Sequence, residues 1–261
     1  MHPGLIVACT LLGLLVGSFL NVVIWRVPRG ESVVRPGSHC PGCGHRVRGR
    51  DNIPVVSWLL LRGRCRDCGT VIGWRYPLVE LGTGALFGLL AWHFGASWAL
   101  PAFLYLAAAG TALAVIDLDV RRLPDAIVLP SYLVGGLLLL VPAIADGDWS
   151  AYLRAWLGAA ALYGFYFALA FIYPAGMGWG DVKLAGVLGL FLGWLGWAEL
   201  VVGAFFGFVL GGVVGIVLMV TGRAGRKSAL PFGPFMLLGA LVAILIAPVL
   251  TDWYVGGVLG R

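Results

Sequence analysis

Charge is what this sequence has least of. Only 11% of its 261 residues are Asp, Glu, Lys or Arg, 60% are hydrophobic, and the mean hydropathy is +0.94. A soluble domain has about a quarter of its residues charged, so a water-exposed globular enzyme is excluded and the chain reads as a polytopic membrane protein. Other absences narrow it further. The first apolar segment, Leu5 to Trp25, has no basic stretch ahead of it and no small-residue cleavage site, so it reads as a retained anchor rather than a removable signal. No repeated pair of broken apolar segments divides the chain into halves, which argues against a transporter built from repeats. No soluble glycine-rich nucleotide-binding fold is present either.

What is there is a series of apolar stretches. With the first, those near 79–97, 99–117, 126–145, 152–173, 182–197, 199–221 and 230–250 make eight expected transmembrane helices. The predicted fold is therefore an all-α polytopic membrane protein with one polar insertion after the first helix. Residues 1–25 form the first helix, 26–78 the insertion, and 79–261 a seven-helix membrane domain. Ten of the 18 basic residues lie between Arg26 and Arg75, and the positive-inside rule puts that segment in the cytoplasm. Counting from there, Arg121, Arg122, Arg223, Arg226 and Lys227 also fall inside, the Asp146-Gly147-Asp148 loop falls outside, and both termini are outside. Arg154 alone fits awkwardly.

The same count brings two carboxylates to one face. Asp117 closes the third span and Asp181, within Gly178-Trp179-Gly180-Asp181, opens the sixth. An ionisable group at such depth is costly unless paired or facing water, so a functional site is the default expectation. A singly protonated pair can hydrolyse a peptide: the ionised member takes a proton from water, and the protonated one polarises the scissile carbonyl and then protonates the leaving amine. Gly178 and Gly180 would admit an extended substrate close to the backbone. Rivals exist for the second carboxylate. At about 100° per residue, Asp117 and Asp119 point to nearly opposite sides of a helix, so at most one faces Asp181. Asp125, after Pro124, reads as the cap of the fourth span, although it can still shape the site. Read purely locally, Asp181 is an N-cap and Asp117 a snorkelling boundary acid. Lys183 either biases the charge of Asp181 or anchors its helix at the headgroups.

The insertion carries Cys40-Pro-Gly-Cys43 and Cys65-Arg-Asp-Cys68, with 21 residues between the pairs. Two such knuckles suit a tetrahedral four-thiolate zinc site, and a polar segment of this length needs the metal to fold. Cytoplasmic placement argues against disulfides. His39 and His45 flank the first knuckle as substitute ligands that four cysteines make unnecessary, and Cys9 reads as a small buried residue. The arginines suit anionic lipid headgroups better than nucleic acid, because no aromatic-basic reading surface accompanies them. In the seventh span, Gly203, Gly207, Gly211 and Gly215 form a stripe read as packing, with a flexible or substrate-admitting helix as the alternative.

These residues together resemble the type 4 prepilin leader peptidases, which are GxGD intramembrane aspartic peptidases. The resemblance rests on Asp117-Leu118-Asp119 through Leu123-Pro124-Asp125, on Gly178 to Leu184, and on Gly17-Ser18-Phe19-Leu20-Asn21-Val22 with Arg26 and Pro28. It extends to Arg75-Tyr76-Pro77-Leu78-Val79-Glu80 and Pro231-Phe232-Gly233-Pro234. It implies cytoplasmic-side cleavage of the leader of type IV prepilins or pseudopilins in a bacterial inner membrane, with Asp117 and Asp181 as the catalytic pair. Gly178, Gly180, Lys183 and Asp125 would support that pair. It further implies N-methylation of the new terminus with S-adenosylmethionine, a zinc site of Cys40, Cys43, Cys65 and Cys68, and roles for Asn21 and Glu80 in supporting either activity. The competing expectations are a transporter with an acidic proton relay and a regulatory zinc ribbon, and a non-enzymatic assembly scaffold. No feature of the sequence specifies an oligomeric state.

Overall fold

The structure, a computed structural model, describes residues 2–174, 176–223, 225 and 230–254, the side chains of the last helix through residue 246. Arg226 and Lys227, two of the basic residues used to orient the chain, lie outside the described residues. Nine α-helices and no β-strand occur among the described residues. They are α1 (Pro3–Arg26), α2 (Val56–Leu60), α3 (Arg75–Phe94), α4 (Leu100–Val120), α5 (Asp125–Ala145), α6 (Trp149–Ile172), α7 (Trp179–Leu195), α8 (Trp197–Val220) and α9 (Gly233–Tyr254). The all-helical expectation holds. Five segments are long and apolar enough to cross a bilayer: Pro3–Arg29, α4, α5, α6 and α8. The described apolar part of α9, Gly233–Ile246, is shorter. Helix α7, at 17 residues, is buried along nearly its whole length from Val182 to Trp194. Its all-round apolar surface is that of a core helix enclosed by its neighbours.

The chain divides into two compact units, residues 1–112 and 113–261, the boundary falling within α4. In the first unit α1 and α3 pack antiparallel in a register written by small residues. A Cβ on Gly13 would lie 2.7 Å from the Thr83 carbonyl, and one on Gly17 would lie 2.7 Å from the Glu80 Cα. Further along, Gly88 abuts Thr10, and Asn21 Nδ2 donates to the Tyr76 carbonyl at 3.2 Å. Each step of three or four residues on α1 matches one on α3, as in small-residue contacts between membrane helices.

The second unit is organised around α7. On one side Gly158 of α6 meets the Gly189 carbonyl, a Cβ there being 2.6 Å away, and Gly193 meets the Arg154 carbonyl at 2.8 Å. On another, Tyr132 of α5 donates to the Lys183 carbonyl at 2.7 Å, and its hydroxyl fills the space that Gly186 leaves open. The α8 stripe is a seat for α9: Gly203 faces Ala240 and Ala243, Gly207 faces Met236, and a Cβ on Gly239 would sit 2.6 Å from the Gly203 carbonyl. That contact supports the packing reading of the stripe.

Arg154, awkward under the positive-inside rule, has a local task. Its Nε donates to the Gly193 carbonyl at 2.8 Å, and its NH2 to those of Trp194 (2.7 Å) and Leu195 (3.3 Å). These are last-turn carbonyls of α7 that have no intrahelical partner, at the negative end of its dipole. We expect Arg154→Met to destabilise the detergent-purified protein by about 2–3 kcal/mol, read as a lowered Tm, and Arg154→Lys to recover only part of it. An unchanged Tm in Arg154→Met would refute the capping role.

Candidate active site

In the second unit, Asp117 lies in the last turn of α4 and α7 begins two residues before Asp181. Asp117 is 5% exposed, whereas Asp119 is exposed, the opposite placement that helical geometry requires. The buried Asp117 carboxylate accepts the backbone N–H of Gly233 at 3.0 Å. That glycine leaves room for it: a Cβ at position 233 would stand 2.9 Å from Asp117 Oδ2. Asp181 is not the N-cap of α7. Gly178 holds that position, and Asp181 three residues on folds its carboxylate back onto the Gly178 N–H at 3.1 Å. A negative charge there is favoured by the exposed donors and dipole of the helix start.

The glycines beside the two carboxylates, Gly180 before Asp181 and Gly233 against Asp117, meet at one side chain. The buried Leu123 lies 3.0 Å from where a Cβ of Gly180 would be and 3.2 Å from that of Gly233. Asp181 and Asp117 are also within range of each other's charge. Tyr166 of α6, 2% exposed, lies within electrostatic range of Asp181 and packs at 6.4 Å from the ring of Phe232, next to Gly233. Gly178 and Gly180 thus act at two points: the first supplies a backbone donor to Asp181, and the second admits Leu123.

Asp125 and Lys183 meet each other. Asp125 opens α5 just after its N-cap, Pro124, so it is not the cap itself. Both its carboxylate oxygens accept from Lys183 Nζ at 2.8 Å. The Lys183 ammonium, two residues along α7 from Asp181, is therefore engaged by Asp125.

In the first unit the four cysteine sulfurs lie within 4.8 Å of one another. The two knuckles repeat one design. Cys40 N–H donates to the His45 carbonyl and Cys65 N–H to that of Thr70, while Gly44 and Gly69, both at φ 72°, close the turns by donating to the Cys40 and Cys65 carbonyls. Glycine is needed at that left-handed conformation. The Cys40 and Cys68 sulfurs are 3.7 Å apart, close to the edge of about 3.8 Å expected of a tetrahedron with zinc–sulfur bonds of about 2.3 Å. All four thiols are unpaired in disulfides, and His39 and His45 are not part of the cluster. Hydrogen bonds from the hydroxyl and N–H of Thr70 lower the Cys68 thiol below its usual value. Arg48–Asp67 (2.9 Å) and Arg66–Asp51 (2.7 Å) brace the knuckles, and the Arg66 guanidinium lowers the Asp51 carboxyl below its ordinary value. The residues fit a four-cysteine metal site.

Comparison with known proteins decides the family. Residues 11–94 match the bacterial peptidase A24 N-terminal domain, and residues 104–219, which contain both aspartates, match the type IV leader peptidase family. A prepilin leader peptidase/N-methyltransferase of Stutzerimonas stutzeri is 37% identical over 97% of this chain and 95% of its own length. Proteins of the same name from Pseudomonas aeruginosa and Neisseria gonorrhoeae are 36% and 41% identical, over 97% and 90% of this chain and 94% and 88% of their own lengths. The chain belongs to the type IV leader peptidase family. No solved structure is a significant match.

For this leader peptidase family member, sequence reasoning passed over three contributors to the site. Gly233 was visible only as part of a motif, because its donor is a backbone N–H that any residue carries. Leu123 likewise appeared only within a motif, and Tyr166 carries no local signal, one aromatic residue among many. The Asp125–Lys183 pair joins residues 58 positions apart, and their side chains are 54% and 30% exposed. Solvent weakens such a pair, so a double-mutant cycle of Asp125→Asn and Lys183→Met should give a coupling of about 0.2–1 kcal/mol in thermal or chemical unfolding. Additive effects would remove the pair from the account.

Proposed function

We propose that this protein is a membrane aspartic endopeptidase that removes the leader of type IV prepilins or pseudopilins and then N-methylates the new terminus. The observation that carries the reading is that Asp117 lies within electrostatic range of Asp181, each held by a backbone donor, in a chain similar along nearly its whole length to proteins named for both activities. A transporter has no comparable support.

The dyad works as a coupled, singly protonated pair. One carboxylate takes a proton from water as the water attacks the scissile carbonyl. The other donates a hydrogen bond to the developing oxyanion and delivers the proton to the leaving amine. Gly178 and Gly180 keep side chains away from the extended substrate, the Gly233 N–H orients Asp117, and the Lys183–Asp125 pair sits beside the entrance of α7. The substrate is a basic leader followed by an apolar segment, so its scissile bond lies at the membrane boundary and the dyad must lie there too. In this reading the chain crosses a bacterial inner membrane eight times, α3, α7 and α9 completing the five long apolar helices. The cysteine domain and the dyad face the cytoplasm. Cys40, Cys43, Cys65 and Cys68 hold a structural zinc ion, which supplies folding energy to residues 26–78 and takes no part in hydrolysis. S-adenosylmethionine is the co-substrate of methyl transfer.

Leader removal from a purified prepilin by the detergent-solubilised protein tests the dyad. Asp117→Asn and Asp181→Asn should each lower the rate by roughly 10²–10⁴-fold, and wild-type rates in both would sink the mechanism. Gly233→Ala, which presses a methyl group on the Asp117 carboxylate, should lower kcat about 10–100-fold with little change in KM. Transfer of label from S-adenosylmethionine to the cleaved product checks the second activity. For the metal, elemental analysis of the intact protein should find one zinc per chain, lost in Cys43→Ser with Cys65→Ser. Chelation should open residues 36–72 to proteolysis while the membrane helices stay resistant. Intact protein free of zinc when zinc is supplied would count against the ribbon.

A further inference from the structure

Helix α2, in the middle of the cysteine domain, is built inside out. Val56, Leu59 and Leu60 share one face at i, i+3 and i+4, and are 47%, 61% and 77% exposed. The buried residue of that turn is a serine: Ser57 donates to the Arg50 carbonyl at 2.9 Å and accepts from the Ile53 N–H at 3.0 Å. Ile53, at 49% exposure, extends the apolar face. Trp58 turns the other way and lies 4.4 Å from the ring of Trp74, which is itself 70% exposed and immediately precedes α3. A soluble domain arranged this way would present its hydrophobes to water and keep its hydroxyl inside.

Depth explains the inversion. Glu80 accepts the Val55 N–H at 2.7 Å, so the start of α2 is tied to the second turn of α3. The same Glu80 lies against Gly17, which stands nine residues, about 14 Å, before the end of α1 at Arg26. Helix α1 is long and apolar enough to span a bilayer, so a segment held within one side chain's reach of that level lies against the membrane rather than in bulk water. The neighbouring exposed residues Arg62 and Arg64 supply positive charge beside the apolar face. An apolar face rimmed by arginine and tryptophan is the composition of a helix lying in the lipid interface.

We infer that Ile53–Leu60 and Trp74 form an interfacial anchor. Val56, Leu59, Leu60 and Trp74 enter the headgroup–acyl boundary of an anionic phospholipid surface, and Arg62 and Arg64 bind its phosphates. The anchor holds the cysteine domain down on the bilayer, leaving the knuckles facing water. The inference rests on reading α1 as a membrane span.

The test uses the full-length, zinc-loaded protein in nanodiscs of phosphatidylcholine with or without phosphatidylglycerol. A spin-labelled side chain replaces, one at a time, Leu60, Leu15 in the lipid-facing middle of α1, and Arg46 beside the first knuckle. Accessibility to oxygen and to a water-soluble nickel complex is compared. The label at position 60 should favour oxygen as the one at 15 does, with a several-fold higher oxygen-to-nickel ratio than at 46. That ratio should fall when phosphatidylglycerol is omitted or when Arg62→Glu and Arg64→Glu are introduced. Nickel access at 60 with a lipid-like 15 overturns the anchor alone, whereas a water-like 15 overturns the span on which it rests. Low access to both reagents at 60 means that protein covers the face and also overturns it, and a ratio indifferent to both lipid charge and the two glutamates overturns the phosphate contacts.

Discussion

Backbone meeting backbone at glycine is the contact from which the rest of this structure follows. Between helices in lipid there is little hydrophobic drive, so association depends on close packing and on polar contacts that small residues permit. Gly13, Gly17 and Gly84 bring α1 onto α3, Gly158, Gly189 and Gly193 bring α6 onto α7, and Gly203, Gly207 and Gly239 bring α8 onto α9. At Gly13, Gly17, Gly158, Gly189, Gly193 and Gly239 an added Cβ would collide with main chain rather than with a movable side chain, which fixes the sliding register of each helix pair to within a residue. Register in turn sets depth. It places Glu80 level with Gly17 and stations α7 among its neighbours so that Asp181 emerges where it does.

Once depth is set, the few charged and polar groups are used in distinct ways. Asp117 and Asp181 each accept a backbone N–H and retain capacity for substrate or water. Arg154 is consumed in ending α7. Lys183 is consumed by Asp125, and Arg48 and Arg66 brace the cysteine knuckles. The division matters in an apolar setting, since an ionisable group without a partner is expensive there. Asp117 and Asp181, each with one backbone donor, keep capacity for chemistry.

Much of the candidate site was legible in advance because its signals are compositional or strictly spaced. The knuckles announce themselves by Cys-x-x-Cys and a following glycine, and an acid at the end of an apolar run is conspicuous in a chain so poor in charge. Local reading erred where a residue's partner lies far away in sequence. Asp125 was assigned a capping role that Pro124 takes, and Asp181 one that Gly178 takes, because a carboxylate at a helix start looks alike at the N-cap, N1 and N3 positions until the backbone is seen. Arg154 looked misplaced because the topology rule counts charges without knowing which have been given to helix ends. Gly233 and Leu123 showed only as members of motifs, their roles hidden because the one acts through main chain and the other through shape.

The sequence by itself determined that the chain is an all-helical membrane protein with a four-cysteine insertion, and that two carboxylates fall at the ends of apolar runs. Hydropathy, charge asymmetry and cysteine spacing are properties of the chain and need no packing to be read. Only the tertiary structure decided which aspartate is buried, which backbone N–H each carboxylate holds, and that Lys183 answers to Asp125. It also decided that the short apolar turn in the cysteine domain is tied to α3 through Glu80. Those outcomes depend on helix register, and register is settled by contacts between residues dozens of positions apart, whose fit no local stretch of sequence contains.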